Sequence, residues 1–338
     1  MEKTWTILDI LNWTTSFLEK KDIKEAKYKT ELLLSHVLEM KRFELYLNFD
    51  RPLSKKERAD FKELLNRLAE NEPIQYILGK WEFYGHEFIV NENVLIPRRE
   101  TEELVEKIIK HIEKSLGQLH GDATNNLYIL DIGTGSGAII ISLYKEIMMR
   151  RGELHSPSTS QSDSPSTSTI QFIATDISEE ALKIAKQNAE LNGIEEDAIQ
   201  FIQSDLFNDL EKNTGQIDFA HTIMISNPPY VSLSEYNELE KELAFEPQNA
   251  ITDNGDGLYF YIELIKQIKE KKIKKSFFEF GYNQKDALEK LCKENNLEDV
   301  KFYKDLSSKW RMMEIDYWLS LIIFTNSGTT TKASATKP

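Results

Sequence analysis

The stretch ISNPPYV places an amide, two prolines and an aromatic ring directly after an apolar run. Proline cannot donate a backbone hydrogen bond to a sheet, and it disfavours a helical conformation in the residue before it. We therefore expect a strand that ends at Asn227 and continues as a stiff, extended segment through Pro228, Pro229 and Tyr230. Such a segment offers an amide, two carbonyls and a ring face, which could hold a planar polar group. A simple turn is the alternative.

A second stretch, LDIGTGSGA, places Gly133, Gly135 and Gly137 at alternate positions between an apolar run and a helical pattern, with Thr134 and Ser136 between them. Glycine lets the backbone turn sharply and approach a ligand closely at a helix amino terminus. A plain strand-to-helix turn needs only one glycine, so three favour a ligand-binding loop. The dinucleotide fingerprint would place its third glycine one position later, so the spacing alone does not identify the ligand.

Two acidic residues follow later apolar runs. Asp176 ends IATD, where a carboxylate can accept hydrogen bonds from both hydroxyls of a ribose. It lies farther past the glycines than the usual distance of about 20 residues, and the stretch 155–169 accounts for much of the excess. The alternative is that Asp176, which lies before Ser178, only caps the helix that follows. Asp205, in QSDLF, could face an adenine, with helix capping again as the alternative.

Composition indicates the general class of the protein. The 338 residues, 40% apolar and 29% charged, are enough for a large core and for two domains. Cys292 is the only cysteine, which excludes an internal disulfide and a metal site built from cysteines. No apolar run approaches the roughly 20 residues of a membrane span, and the first residues lack the features of a secretory signal. We expect a cytoplasmic protein without a membrane partner.

The formal net charge of −14 arises entirely after residue 72, because acidic and basic residues are equally numerous before it. Proteins that bind nucleic acid usually carry a basic patch that displaces counterions from phosphates. The charge therefore favours a protein or a small molecule as the substrate, with no direct contact to nucleic acid.

Periodicity predicts how these residues are positioned. Residues 1–72 show apolar positions at helical spacing, and Ser54 with Glu57 forms a capping box, so we expect a small helical domain. Residues 73–98 have strand-like alternation in YILGKWEFYGHEFIVNENVLIP, with Gly79 and Gly85 at turns, which predicts a β-hairpin linker. The predicted helices contain TILDILNWTTSFLEK, KTELLLSHVLEM and RADFKELLNRLA.

Residues 99–324 alternate between helical and strand-like patterns, which predicts a mostly parallel sheet covered on both faces. Ligands bind at the carboxyl ends of the strands in such sheets, where the glycines, Asp176 and Asn227 are all expected. The Ser/Thr-rich stretch 155–169 and the tail 325–338 lack large apolar residues, and we expect both to be disordered. The predicted strands are LYILDI, QFIATD, AIQFIQ, TIMIS and KSFFEFG.

The glycine stretch together with Asn-Pro-Pro-Tyr resembles S-adenosylmethionine-dependent methyltransferases that act on planar amide or amine nitrogens. LIPRRETEELVE resembles the Ile-Pro-Arg-Pro-x-Thr-Glu segment of the HemK/PrmC-type protein-(glutamine-N5) methyltransferases, which modify peptide-chain release factors. The resemblance covers roughly residues 5 to 316. Arg99 departs from it by replacing a proline, and Leu206 stands where some members have a tryptophan beside the adenine. Further matching segments, in the family's order, are GKWEFYGHEFIV, FEPQNAITDNGDGL, FEFGYNQ and DLSSKWRMM.

This resemblance implies a class I, Rossmann-like methyltransferase domain with a mostly parallel seven-stranded sheet, and a small helical amino-terminal domain that recognises the substrate protein. It implies methylation of the glutamine of a release factor's Gly-Gly-Gln motif. We also expect a monomer without a metal ion. Glu102 would lie near the methionine end of the cofactor. The catalytic residues would be Asn227, Pro228, Pro229 and Tyr230, and S-adenosyl-L-methionine would be bound by Gly133, Thr134, Gly135, Ser136, Gly137, Asp176, Asp205, Leu206 and Asn227.

Three alternatives remain. A DNA adenine-amine methyltransferase could use the same Asn-Pro-Pro-Tyr segment on a flipped base, although it would need a basic cleft. A glutamine in a ribosomal protein could be the target, because the motifs are shared. A degenerate binding module without activity is the third, and the complete set of motifs argues against it.

Overall fold

The computed structural model of the protein describes residues 4–118, 126–152, 169–210, 212 and 217–317. Of the stretch 155–169, for which disorder is predicted, all but Thr169 lies outside the described residues, as does the tail 325–338. The chain divides into two units. The first extends to Trp81 and includes Ile89–Ile96 and Glu238–Pro247, and the second contains Glu82–Phe88, Pro97–Asn237 and the chain from Gln248 onward. Residues 238–247 thus join the helical unit, although the sequence analysis placed them in the methyltransferase domain.

The first unit is built from helices, as periodicity predicts. Thr6 and Asp9 form a capping box that starts the first helix, and the predicted box of Ser54 and Glu57 starts the fourth. Leu18, Leu33 and other apolar residues of these helices form one buried cluster. The helices are α1 (Ile7–Glu19), α2 (Ala26–Leu38), α3 (Arg42–Leu47), α4 (Lys55–Ala69) and α5 (Ile74–Leu78).

The hairpin is shorter than the alternation predicted. Pro73 precedes a helical turn, so Tyr76–Leu78 lies in α5 and not in a strand, and the left-handed Gly79 ends that helix. The hairpin itself consists of β1 (Lys80–Phe83) and β2 (His86–Ile89). Tyr84 and Gly85, both with positive φ, form its two-residue turn, which is the type I′ geometry that matches strand twist.

The second unit contains a sheet of seven strands within the described residues, in the order β5-β4-β3-β6-β7-β9-β8. The first five of these are parallel, and β9 runs antiparallel to both β7 and β8. This confirms the Rossmann-like α/β fold; the individual strand predictions missed β8 and β9. The strands are β3 (Leu127–Ile132), β4 (Ile170–Asp176), β5 (Ile199–Gln203), β6 (Thr222–Ser226), β7 (Lys275–Glu279), β8 (Asp299–Lys304) and β9 (Trp310–Asp316).

Helices cover both faces of this sheet. One buried cluster joins the strands to α6, α7 and α8, and a second joins them to α11 and α12. The helices of this unit are α6 (Arg99–Gln118), α7 (Ala138–Arg151), α8 (Glu179–Leu191), α9 (Leu233–Tyr236), α10 (Gln248–Ile251), α11 (Tyr259–Lys271) and α12 (Lys285–Glu294). Within the described ranges, no helix combines the length and the apolar character required to cross a bilayer.

Candidate active site

The carboxyl ends of three adjacent strands bring the candidate residues to one edge of the sheet. Ile132, the last residue of β3, pairs with Thr175 of β4 and with Ser226 of β6. The Ser226 hydroxyl also donates a 2.7 Å hydrogen bond to the Ile132 carbonyl. The residues that follow these positions are Gly133, Asp176 and Asn227, so the structure brings together the three features that the sequence analysis expected to meet.

Gly133–Gly137, which we call the glycine loop, is held by β4 and by helix packing. The backbone N–H groups of Gly133 and Thr134 donate to the Thr175 carbonyl at 2.9 and 2.8 Å. Gly137 has φ +79°, and a Cβ there would lie 2.9 Å from Ile141 Cδ1. The positive φ, more than this contact with the end of a flexible side chain, favours glycine immediately before α7. The Ser136 carbonyl accepts a 2.9 Å hydrogen bond from Asn188 Nδ2.

Asp176 contacts both the glycine loop and the next helix. Its Oδ2 accepts a 2.8 Å hydrogen bond from the Gly135 N–H, and its Oδ1 accepts one of 2.9 Å from the Ser178 N–H. Ser178 is itself the N-cap of α8, so Asp176 supports the helix start without being the cap. Burial raises the pKa of Asp176, and the backbone N–H groups partly offset this rise. A carboxylate has about four lone-pair sites, so acceptor capacity remains for a ribose.

Asp131 is a fully buried carboxyl beneath the glycine loop, and the sequence analysis gave it no role. Its Oδ2 accepts a 2.7 Å hydrogen bond from the Thr134 hydroxyl, while its Oδ1 has no hydrogen-bond partner of standard length among the described residues. Burial raises the pKa of Asp131 to about 7, the charge of Asp176 adds to the rise, and the Thr134 hydroxyl opposes it. The Ile140 backbone N–H also opposes the rise, so two donors compensate this buried carboxyl in part. A ligand with a positive charge nearby would favour its ionised form further.

We expect Asp131→Asn to become progressively more stable than the cofactor-free wild type between pH 5 and pH 8. In the wild type, the folded-state pKa of Asp131, about 7, exceeds the unfolded value of roughly 3.9. The protonated carboxyl therefore stabilises the folded wild type fully below about pH 4, and this stabilisation is lost as pH rises through 7. By pH 8, the free energy of unfolding of Asp131→Asn should exceed that of the wild type by about 2–4 kcal/mol. Parallel denaturation curves at the two pH values measure it, with exposed Asp205→Asn as the control. A constant margin for Asp131→Asn would contradict this prediction.

Asp205 and Leu206 follow β5, beside β4. Asp205 is exposed, and its Oδ2 accepts a 3.3 Å hydrogen bond from Asn208 Nδ2. Leu206 is half-buried, has φ +51° and packs against one of the sheet's apolar clusters. Their proposed contacts with an adenine stay predictions.

Asn227–Tyr230, which we call the NPPY segment, leaves β6 with Asn227 half-buried and Pro228 buried. The Tyr230 backbone carbonyl accepts a 2.9 Å hydrogen bond from Gln284 Nε2, and the next residue, Val231, donates to the Ile251 carbonyl at 3.0 Å. Burial raises the pKa of the Tyr230 phenol above its ordinary value. The segment is therefore fixed at both ends, by β6 and by these backbone contacts.

Gly257 packs directly against the NPPY segment. It has φ +82°, and a Cβ there would lie 2.2 Å from the Tyr230 carbonyl oxygen and 2.7 Å from Gln284 Nε2. Because the nearest atom belongs to the backbone, an added methyl group must displace the segment.

We expect Gly257→Ala to lower stability by about 2 kcal/mol, through overpacking and an unfavourable φ, and to reduce turnover several-fold. Gly255→Ala is a matched control in the same loop, since its Cβ would meet only the Asp253 carboxylate, at 3.5 Å or more. Thermal denaturation and steady-state turnover of both variants measure the difference. Equal stability and equal turnover of the two variants would show that neither property depends on the close approach of Gly257 to the NPPY segment.

Two further residues contact the NPPY segment, and the sequence analysis missed both. The Thr101 hydroxyl lies 3.5 Å from Asn227 Nδ2 and donates a 2.6 Å hydrogen bond to Glu279 Oε2. Glu279 Oε1 accepts a 3.4 Å hydrogen bond from the Tyr230 hydroxyl. Burial raises the pKa of Glu279, while the Thr101 hydroxyl and the Arg311 charge lower it. An acid within the apolar strand KSFFEF was the available signal for Glu279.

Glu102, the neighbour of Thr101, contacts a different part of the unit. Its Oε1 accepts a 3.1 Å hydrogen bond from the Tyr84 N–H in the hairpin turn. Its expected place near the methionine end of the cofactor stays a prediction. The part of the chain that the structure describes contains no group of three or more His, Cys, Asp or Glu residues placed to hold a metal ion.

Comparison with known families identifies both parts of the chain. The model of the PrmC N-terminal domain matches residues 9–79, and a model of a methyltransferase domain matches residues 123–298. Among solved structures, the methyltransferase domain of METTL16 lacking its N-terminus has a TM-score of 0.47 and 18% identity, covering 70% of this chain and 90% of that one.

Curated relatives are closer. The release factor glutamine methyltransferase of Fusobacterium nucleatum is 36% identical over 310 residues, which cover 90% of this chain and 77% of the relative. The protein of the same name from Bacillus subtilis is also 36% identical over 310 residues, covering 90% of this chain and 96% of the relative. The protein of the same name from Rhodopirellula baltica is 38% identical, covering 77% of this chain and 78% of the relative. The chain belongs to the family of release factor glutamine methyltransferases.

Proposed function

We propose that this protein transfers a methyl group from S-adenosylmethionine to the side-chain amide nitrogen of the glutamine in the Gly-Gly-Gln motif of peptide-chain release factors. Membership of the release factor glutamine methyltransferase family supports this activity. The observation that carries the proposal is the placement of the glycine loop and the NPPY segment at the ends of adjacent strands. A cofactor and an acceptor held there would meet at one edge of the sheet.

The described residues fit the cofactor. A Cβ on Gly133 or Gly135 would meet nothing within 4 Å, so the loop backbone borders open space, and the buried Asp131 carboxyl bonds the Thr134 hydroxyl of the same loop. The glycine loop and Asp176 would hold the cofactor, with Asp205 and Leu206 toward the adenine. When bound, S-adenosylmethionine supplies an electrophilic methyl group on a positively charged sulfur.

The acceptor is a poor nucleophile, because the lone pair of an amide nitrogen is delocalised into its carbonyl. The NPPY segment compensates for this weak nucleophilicity by orienting the substrate amide. The Asn227 side-chain oxygen and the Pro228 carbonyl accept the two amide hydrogens and direct the lone pair toward the methyl group. Within the described residues, no hydrogen bond is formed to either oxygen, so both have acceptor capacity. Orientation of this kind lowers a barrier by several kcal/mol, up to roughly 7–11 in ideal cases.

The remaining residues of the segment have supporting roles. Pro229 stiffens the backbone, and the Tyr230 ring packs against the plane of the substrate amide. The reaction needs no general base at the outset, because the amide proton becomes acidic only as the new C–N bond forms. Glu279, a buried carboxyl that contacts the NPPY segment, already accepts hydrogen bonds from Thr101 and Tyr230.

The alternative acceptors are less favoured. A DNA adenine-amine methyltransferase would need a basic surface, and the net charge of −14 opposes binding to phosphates. A ribosomal-protein glutamine could fit the same segment, but the family's members are named for release factors. We expect a monomer that contacts the release factor and not nucleic acid.

Acceptor competition tests this proposal. The protein is incubated with labelled S-adenosylmethionine and, separately, with a purified bacterial release factor, the same factor with its Gly-Gly-Gln glutamine changed to alanine, a ribosomal protein fraction and duplex DNA. We expect label only in the unchanged release factor. Label in DNA or only in ribosomal proteins, or equal label in both release factors, would contradict the proposal.

A further inference from the structure

A buried polar cluster contacts the NPPY segment from α6 and β7. Thr101 is 4% exposed and Glu279 is 1% exposed, yet both carry polar groups. Burying such groups is unfavourable unless they are hydrogen-bonded, and here each is bonded to the other and to the NPPY segment. The cluster thus connects both ends of the segment, Asn227 and Tyr230, to a single carboxylate.

The hydrogen bonds of this cluster have a fixed direction. A threonine hydroxyl has one hydrogen, and Thr101 donates it to Glu279 Oε2 at 2.6 Å. The Arg311 charge and the Tyr230 hydroxyl favour the ionised, accepting form of this carboxyl group. The Thr101 oxygen can then only accept, so the Asn227 atom facing it must be the donor Nδ2. Asn227 Oδ1 is consequently the oxygen left for a substrate.

We propose that Thr101 is a positioning residue for methyl transfer: its hydroxyl, oriented by Glu279, holds the Asn227 amide so that Oδ1 faces the substrate amide. This inference rests on the proposed function of the NPPY segment. Without the Thr101 oxygen, the Asn227 side chain could rotate by half a turn and present two donors to a substrate group that also donates. The rotated Asn227 side chain would then repel the substrate amide and would not orient it.

The contact between Thr101 and Asn227 is long, at 3.5 Å, which is the outer limit of a hydrogen bond. Hydrogen bonds of catalytic groups are often long in ligand-free proteins and shorten in the substrate complex. Glu279 is already close to Thr101, so the hydroxyl is oriented before the substrate arrives. We therefore expect the contribution of Thr101 to appear in the reaction step and not in substrate binding.

Conservative variants of Thr101 test this role. Thr101→Val keeps the shape and removes the hydroxyl, and we expect kcat toward a release factor to fall about tenfold while KM for the factor stays within about twofold. Thr101→Ser restores the hydroxyl and should recover kcat to within about threefold of wild type. Thr222→Val is the matched control, because Thr222 is equally buried but bonds the Asp218 carbonyl at the opposite end of β6. Wild-type kcat in Thr101→Val, or equal losses in Thr101→Val and Thr101→Ser, would overturn the inference.

A double-mutant cycle gives a measurement that a merely structural role would not affect. If Thr101 acts through Asn227, adding Thr101→Val to Asn227→Ala should cause no further loss of kcat. Independent losses that multiply would overturn the inference. The wild type separates this result from the proposed function: a wild type that fails to methylate release factors refutes the function, whereas an active wild type with multiplying losses refutes only the role of Thr101.

Discussion

Replacing Asn227 with alanine should lower the rate of methyl transfer to a release factor about 100-fold or more, because it removes an acceptor that acts when the amide is held for attack. The fold should survive, since Asn227 is only half-buried and its side chain forms, among the described residues, only the long hydrogen bond to Thr101. Single-turnover rates measure the effect, and thermal denaturation checks the fold.

Asn227→Asp is the matched variant for this prediction. It keeps the accepting oxygen and the shape, but it adds a negative charge near the positively charged sulfur of the cofactor. We expect intermediate activity and retained cofactor binding. Normal rates in both variants would mean that the NPPY segment is only the end of a strand and that the acceptor binds elsewhere.

Replacing Asp176 with alanine should weaken binding of S-adenosylmethionine more than tenfold. A charged acceptor for hydroxyl groups contributes roughly 1.5–3 kcal/mol, and the variant also removes the acceptor of the Gly135 N–H, which holds the glycine loop. Isothermal calorimetry measures the affinity. The wild type should also bind S-adenosylmethionine in preference to nicotinamide dinucleotides, because the glycine spacing is not that of the dinucleotide fingerprint.

Two observations would contradict this role. Unchanged affinity in Asp176→Ala would leave the carboxylate with only its contacts to Gly135 and Ser178, and the ribose would need another partner. Tighter binding of a nicotinamide dinucleotide by the wild type would reject the cofactor assignment itself.

Local sequence patterns were sufficient to predict the elements that position the site. Apolar runs at β3, β4 and β6 are followed by glycine, aspartate and Asn-Pro-Pro-Tyr, and parallel strands bring such ends to one edge of a sheet. The capping box at Ser54 also marked a helix start correctly. Each of these features depends on a few residues that are neighbours in the sequence, so each can be predicted without knowledge of the tertiary structure.

Other features depend on contacts between distant residues. Thr101 and Glu279 are 178 positions apart, and only the packing of α6 on β7 brings them together behind the NPPY segment. Strands β8 and β9 pair antiparallel at the sheet edge. Neither has a regular alternation of buried and exposed residues, because β8 is only partly buried and the middle of β9 is buried throughout. Tyr76–Leu78 has β-type residues, but the turn after Pro73 makes it helical. Tertiary context decides each of these cases.

Site mapping by mass spectrometry tests the proposed reaction most directly. A purified release factor is incubated with the protein and S-adenosylmethionine, digested, and its peptides are fragmented to locate any added methyl group. We expect one methyl group on the side-chain nitrogen of the Gly-Gly-Gln glutamine, and none when Asn227→Ala replaces the wild type over the same short reaction time. A methyl group on any other residue, or none after prolonged incubation with wild-type protein, would contradict the proposed function.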